Sequence, residues 1–402
     1  MNEHVVIVGA GHAGSSCAAA LRRNGHTGRI TLVGEETHLP YQRPPLSKGW
    51  LSGEPEAGAA RLTLRPAQWY EKNSVELRLS TRVAALDRAG RRVVLAGGEA
   101  VEYDRLVLAT GASPRHLRLP GAHLPGVVVL RDRTDAAVLR GRLAEGHKLV
   151  VIGGGYLGLE AAATARGLGL AVDVVEQADR LLARVASEPV AEAVALRHRA
   201  HGVQLHLGAE TTRILGDDHV RGIELSSGET LACDTLLVAI GAAPNSHLAA
   251  AAGLICTDGI VVDEHGATSD PDVFAIGDVT VRPVTRGRAR RIESVGNAVE
   301  QAGQVAAAIC GLPAPEPVVP WFWSDQYGQS VQIAGFADPG DDRIFHGDPG
   351  DDRFAVFHLS DGLLTGVEAV NSPRDAMTGK RWLASGGRPD FDALGIAAPA
   401  AS

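Results

Sequence analysis

The sequence predicts an α/β protein made of two copies of one strand–helix–strand unit, followed by a small α+β C-terminal domain. Three observations lead there. A glycine-rich turn between an apolar strand and an alanine-rich helix occurs twice, in VVIVGAGHAGSSCAAALRRNG and in KLVVIGGGYLGLEAAATARGLG. A second matching pair, DRLVLATGASP from Asp104 and DTLLVAIGAAP from Asp234, follows each turn. Beyond the proline-bearing APEPVVP, the composition changes to alternating runs such as RFAVFHL.

In the first copy, the strand Val5 to Val8 runs into Gly9-x-Gly11-x-x-Gly14, then a helix, then the strand Ile30 to Val33 ending near Glu35. In that order the glycines form a Rossmann-like dinucleotide-binding fingerprint. Gly9 permits the tight turn, Gly11 lets the backbone approach a pyrophosphate, and Gly14 lets the helix pack against the strand. The helix N-terminus offers amide donors to the phosphates. Glu35, about 20 residues further on, is placed to accept hydrogen bonds from a ribose. The second copy repeats the pattern with Gly153, Gly155, Gly158 and Glu176. One glycine motif is weak, since such a turn can serve packing alone, whereas two in full context are strong.

The echoes at Asp104 and Asp234 mark a duplication, with candidate binding positions Ala109 and Gly241 inside them. Gly97-Gly98 and Ser227-Gly228 predict hairpins just before each echo. The first copy is the longer, and its extra residues fall between Thr37 and Trp69. This stretch contains YQRPPLSKGW, poor helix or strand material that reads as a loop of special geometry. After the second echo, a strand ends at Gly277-Asp278, and Asn297 to Cys310 looks helical. In the final domain, DPGDDR at 338–343 and 348–353 lacks the EF-hand order of ligands and reads as exposed turns.

Composition narrows the function. A chain of 402 residues is too long for one ordinary core, and 45% hydrophobic against 21% charged residues excludes wholesale disorder. No apolar run reaches membrane-span length, and the chain enters its first strand almost at once, so a cytoplasmic protein is expected. A net charge of -8 argues against a polyanion-binding protein. Only Lys48, Lys72, Lys148 and Lys380 are lysines. Cys17, Cys233, Cys256 and Cys310 lie far apart, so no metal centre or thiol redox pair is expected.

Two fingerprints in one chain allow two nucleotides to meet, and the natural chemistry is hydride transfer between a nicotinamide and a flavin. The Glu176 carboxylate pairs with ribose hydroxyls and repels a 2′-phosphate, which favours NADH; Arg180 and Arg184 could soften that preference. Thiol-linked electron routes need a cysteine in the segment after Glu35, and none is there. One-electron carriers or small acceptors are left as the outlet.

The chain resembles the FAD-dependent ferredoxin reductases of bacterial oxygenase systems, the putidaredoxin reductase and Rieske-type ferredoxin reductase family. The resemblance rests on VVIVGAGHAG, RPPLSK, YDRLVLATGASP, VVIGGGYLGLE, SDPDVFAIGDV, RIESVGNAVEQA and PWFWSDQYG in family order. It implies a glutathione-reductase-like architecture: an FAD domain at 1–112 and 244–314, an inserted NAD domain at 113–243, and a flavin-covering and partner domain at 315–402. It implies that Ala13, Glu35, Arg43, Lys48, Val83, Arg131, Gly277, Asp278 and Val295 line the FAD site. Among catalytic candidates, Lys48 corresponds to the family lysine beside flavin N5, with Glu160 its countercharge and Tyr156 an aromatic gate. Trp321, with Trp323, lies in the segment that approaches the ring.

The family mechanism passes electrons from NADH through FAD to a 2Fe–2S ferredoxin that feeds an oxygenase. RIESVGNAVEQA is nearer the putidaredoxin reductase subtype, which favours a haem-thiolate monooxygenase. Rieske dioxygenase reductases, rubredoxin reductases, NADH oxidases and nicotinamide-sensing flavoproteins like apoptosis-inducing factor are the alternatives. Arg282, Arg286, Arg288, Arg290 and Arg291 form a candidate docking patch for an acidic ferredoxin, although such runs are usually solvated loops. A monomer or weak dimer is expected.

Overall fold

The structure, a computed structural model, describes residues 3–53, 62–284 and 289–396. The chain divides into two compact units. One comprises Met1–Arg43, Glu56–Ser113 and Ala242–Val318; the other comprises Pro44–Pro55, Pro114–Gly241 and Val319–Ser402.

Among its described residues, the first unit is built on a five-stranded parallel sheet in the order Val273–Ala275, Arg105–Leu108, Val5–Val8, Ile30–Val33, Val75–Arg78. The strands Val5–Val8 and Ile30–Val33 are buried throughout, as strands covered on both faces must be. The helix His12–Arg23 crosses from the first strand to the second and shares a core with the helix Val295–Ile309. Ser294 caps that second helix by accepting a hydrogen bond from the Asn297 amide. An antiparallel sheet of Val83–Asp87, Arg92–Leu95 and Ala100–Glu102 completes the duplicated module, with its expected hairpin turning at Gly98, φ +86°.

The second unit repeats this plan. Its parallel sheet runs Gln204–Leu207, Ala171–Glu176, Lys148–Ile152, Thr235–Val238, Val127–Val128, and its hairpin joins Gly222–Leu225 to Thr230–Ala232 at Gly228. The echo aspartates have the same job in both copies. Asp104 accepts a hydrogen bond from the His4 amide at 2.7 Å, and Asp234 from the amides of His147 and Lys148 at 2.8 and 3.0 Å. Each carboxylate ties the start of the echo strand to the start of the fingerprint strand that runs parallel beside it.

Also in the second unit is a five-stranded antiparallel sheet ordered Trp321–Gln326, Gln329–Gly335, Leu363–Val370, Phe354–Ser360, Asp342–His346. The helix Pro373–Ala384 packs on it through Ala376 and Trp382. The DPGDDR stretches form turns on either side of Asp342–His346, each closed by an amide-to-carbonyl bond, Asp341 to Asp338 and Asp351 to Asp348.

The segment 37–69 departs from the loop expected of it. Pro44–Ser47 is a 3-10 turn, Gly49–Ser52 a short helix, and Ala67–Lys72 a further helix. Prolines disfavour helix interiors but suit a first turn, where no intrahelical amide bond is lost. Pro44 and Pro45 open the 3-10 turn in just this way.

Candidate functional site

Each fingerprint glycine has a distinct steric reason. A Cβ added at Gly9 or Gly153 would lie 2.1 Å or 2.4 Å from a carbonyl oxygen at the end of the echo strand, that of Ala109 or Ala239. Both glycines take positive φ, +115° and +112°. A Cβ at Gly14 would meet the Gly9 carbonyl at 2.0 Å, and one at Gly158 the Gly153 carbonyl at 2.5 Å. A Cβ at Gly11 or Gly155 meets nothing within 4 Å. The outer glycines are therefore demanded by packing, while the middle one borders open space at a helix N-terminus. Neither helix, His12–Arg23 or Tyr156–Gly167, carries an acidic residue in its first turn. A cradle with free room, amide donors and no nearby first-turn carboxylate fits a pyrophosphate at both turns.

The two acids that follow behave differently. Glu35 is exposed, with Arg82 3.9 Å away. Glu176 binds its own turn: one carboxylate oxygen accepts from the Gly154 amide at 2.6 Å, the other from the Ala178 amide at 2.8 Å. The Arg180 guanidinium donates to the carbonyls of Leu181, Ala183 and Ala186. Arg184 reaches over Gly241, 3.2 Å from the point a Cβ there would occupy.

In the first unit, Ala13 and Gly277 meet, and a Cβ on Gly277 would touch that of Ala13 at 3.0 Å. Gln301 Oε1 holds the turn Gly277–Val279 by accepting from the Gly277 amide and the Thr280 hydroxyl. Asp278 lies in this turn, and Val295 begins the neighbouring helix. Arg43 pairs with Glu36 at 2.5 Å, and the Tyr41 hydroxyl donates to the other Glu36 oxygen. Val83 packs beneath the first sheet. His12, first in its helix, is pushed down to about 4 by burial and by Arg43, against the opposing pull of Asp278.

In the second unit, two distant segments converge on Glu160, a nearly buried residue in the first helical turns after the second fingerprint. Lys48 Nζ lies 3.1 Å from Glu160 Oε1. The Ser47 hydroxyl donates to Oε2 at 2.5 Å and the Ser324 hydroxyl to Oε1 at 2.6 Å. A buried charge needs such partners to avoid a large desolvation cost. Tyr156 packs on Phe322 with ring centroids 4.5 Å apart, and its hydroxyl is buried with no hydrogen-bond partner among the described residues. Burial, with Glu368 and Glu160 nearby, pushes that phenol well above its usual value. Trp321 and Trp323 stack on one another. Arg131 sits just before the helix Arg133–Glu145, its amide donating to Asp135.

Two of the five arginines of the expected docking patch are already committed. Arg282 pairs with Glu300 and donates to Asn297, and Arg291 pairs with Asp258 and Glu293; both side chains are only 12% exposed. Arg290 lies on the same strand as Arg291, while Arg286 and Arg288 fall outside the described residues. Ser47, Ser324, Gln301 and Asn297 were not anticipated as site residues. They stand inside RPPLSK, WFWSDQY and RIESVGNAVEQA, so motif membership was the available signal.

Comparison with known proteins fits this geometry. Residues 3–302 match the pyridine nucleotide-disulphide oxidoreductase family, and residues 321–400 match the reductase C-terminal family. The chain is 43% identical to rhodocoxin reductase of Rhodococcus erythropolis, over 95% of this chain and 89% of that protein. It is similar to the crystal structure of the ferredoxin reductase for the CYP199A2 system from Rhodopseudomonas palustris, at 44% identity and TM-score 0.92, covering 96% of this chain and 95% of that one. The reductase in the covalent putidaredoxin reductase–putidaredoxin complex matches at 37% identity and TM-score 0.94, covering 98% and 96% of the two chains.

Proposed function

As the chain belongs to the ferredoxin reductases of the pyridine nucleotide-disulphide oxidoreductase family, which use FAD and NAD(P)H, we propose that it carries electrons from NADH to a 2Fe–2S ferredoxin serving an oxygenase. The observation that carries this reading is the convergence of Lys48, Ser47 and Ser324 on Glu160. FAD, when bound, supplies a group that takes two electrons from a nicotinamide and releases them singly.

The chain's own residues bind, orient and screen. The turn at Gly11 receives the FAD pyrophosphate, with Gly9, Gly14 and Ala109 holding its shape and Ala13, Glu35, Arg43, Val83, Arg131, Gly277, Asp278 and Val295 completing the binding surface. The turn at Gly155 receives the nicotinamide dinucleotide, shaped by Gly153 and Gly158, with Gly241 beneath Arg184. Glu176 holds the turn closed through Gly154 and disfavours a 2′-phosphate, so NADH is preferred. Lys48, held by Glu160, sets a positive charge beside the isoalloxazine, where it stabilises added negative charge. Tyr156, packed on Phe322, would act as an aromatic gate near the flavin, displaced by nicotinamide, and Trp321, stacked on Trp323, would lie in the segment that approaches the ring. The domain plan follows: FAD at 1–112 and 244–314, NAD at 113–243, and the partner-facing domain at 315–402.

The ferredoxin serves a haem-thiolate monooxygenase, a reading supported by the RIESVGNAVEQA motif and by similarity to the reductase for the CYP199A2 system. Docking uses the Arg290–Arg291 strand, where an acidic partner competes for Arg291 with the exposed carboxylates of Asp258 and Glu293. No described helix is long and apolar enough to cross a membrane, and we assign the protein to the cytoplasm.

The test is anaerobic titration of the purified yellow protein with NADH, then cytochrome c reduction with and without a 2Fe–2S ferredoxin. Rapid bleaching and ferredoxin-dependent reduction are expected. Fast oxygen uptake without ferredoxin, or slow bleaching with a persistent charge-transfer band, overturns the reading. Reconstitution with a haem-thiolate monooxygenase against a Rieske dioxygenase decides the terminal partner.

A further inference from the structure

Glu160 is the end of a longer buried chain. Ser324, which donates to Glu160 at 2.6 Å, accepts in turn from Gln326 Nε2 at 3.0 Å. Gln326 Oε1 lies 2.6 Å from His198 Nε2. Ser324 and His198 are fully buried, and Gln326 is nearly so. Ser324 and Gln326 stand in WFWSDQY on the strand Trp321–Gln326, and His198 on the helix Glu188–Ala200.

The donors in this chain all point one way, and the reason lies in proton inventory. A hydroxyl has one proton, an amide has distinct donor and acceptor ends, and a neutral imidazole has one N–H. Burial holds the His198 imidazolium down to about 4, so a single ring proton is present at neutral pH. His198 Nδ1 is buried with no partner among the described residues, so a proton there would be stranded, whereas on Nε2 it meets Gln326 Oε1. With that proton on Nε2, the Gln326 amide presents its NH2 to Ser324, and the Ser324 proton is left for Glu160. With the proton on Nδ1, the amide reverses, Ser324 gives its proton to Gln326, and Glu160 faces an oxygen lone pair instead of a donor.

We propose that His198, through Gln326 and Ser324, sets the sense of a hydrogen-bond chain that fixes the Glu160 carboxylate and thereby Lys48, making all three positioning residues for the flavin site. This rests on the placement of Lys48 and Glu160 beside the flavin in the proposed function. It also gives WFWSDQY a polar role distinct from its aromatic one.

The test uses the FAD-loaded protein. In Ser324→Ala, flavin reduction by NADH should slow about tenfold, the scale of one lost hydrogen bond to a charged group. The flavin midpoint potential should move negative, because the carboxylate charge is less compensated, while FAD content and the NAD dissociation constant stay unchanged. Ser324→Thr should restore both. Gln326→Glu keeps the shape but accepts at both ends, so it should reproduce the Ser324→Ala losses without adding to them in the double variant. Nitrogen-15 NMR of the histidine rings, assigned with His198→Asn, should show His198 as the Nε2–H tautomer.

An Nδ1–H tautomer, a Ser324→Ala protein with unchanged rate and potential, or fully additive losses would overturn the proposal. These outcomes are separable from failure of the reductase reading. In that case the unaltered protein would bind FAD yet fail to bleach with NADH.

Discussion

Trp321 and Trp323 stack with ring centroids 4.8 Å apart and planes 18° from parallel, and a lysine closes each end of the pair. Lys380 Nζ lies 5.2 Å from the Trp321 ring, and Lys48 Nζ lies 6.0 Å from the Trp323 ring. Two of the four lysines in the chain thus bracket one aromatic pair. Trp323→Leu removes the stack and the platform under Lys48 together. It should lower stability by about 1–2 kcal/mol, read as a reduced urea midpoint at constant slope. Trp323→Phe should recover part of the loss.

The contrast among the glycines gives a second prediction. Gly14→Ala drives a methyl into the Gly9 carbonyl and should yield little folded protein, whereas Gly11→Ala has room and should fold. Gly11→Ala should nevertheless lose FAD, and Gly155→Ala should keep FAD but bind NADH at least tenfold more weakly. Flavin absorbance after gel filtration and NADH titration separate the two. A Gly11→Ala protein with full flavin content would show that the open space is not a cofactor cradle.

Glu176→Gln should lower the preference for NADH over NADPH about tenfold in kcat/KM, because a neutral amide no longer repels a 2′-phosphate. NADH affinity should also fall. The substituted amide keeps a single acceptor oxygen, where the Glu176 carboxylate accepts from both Gly154 and Ala178. Steady-state kinetics with both nucleotides measures this, and an unchanged ratio would assign selectivity elsewhere.

Arg291→Glu should raise the KM for ferredoxin and flatten the salt dependence of its reduction, with NADH bleaching unaffected. The substitution sets three carboxylates together where Arg291 now bridges Asp258 and Glu293, so Arg291→Gln serves as the neutral control. Identical salt dependence in all three proteins would rule out docking at this strand.

Buried His198 links stability to pH. Its folded value is depressed to about 4 from 6.5, so below pH 6.5 the unfolded chain binds the proton more readily. The folded state is therefore least penalised above pH 6.5 and loses stability as pH falls toward 4. By pH 5 the loss should reach about 2 kcal/mol relative to pH 7. Paired unfolding curves of the unaltered chain and His198→Gln should diverge over this window; parallel pH profiles would contradict it.

Features set by local sequence were legible, and those set by distant partners were not. Glycine spacing, apolar strand runs and the two aspartate-led echoes depend on residues within one module, and each is visible in the chain. The amide bonds of Asp104 and Asp234 explain the echoes, although the letters alone showed only that they repeat. The donors to Glu160 stand 113 and 164 residues from it, and no periodicity connects them. Arg180, Arg282 and Arg291 looked free as letters, but a guanidinium with five donors readily finds carbonyls or carboxylates close by. Pro44 and Pro45 were read as breakers, when position in the first turn made them starters.

The assembly of Glu160 from three stretches of chain bears on biosynthesis. At about 5–20 residues per second, a ribosome needs roughly 10–30 s to travel from Glu160 to Ser324. Throughout that interval the nascent second fingerprint can gather Lys48 and Ser47, already made, but not the hydroxyl that completes the carboxylate's shell. Maturation of this centre is thus reserved for the finished polypeptide, and a chain stalled in the linker before Trp321 would emerge with its charge half attended.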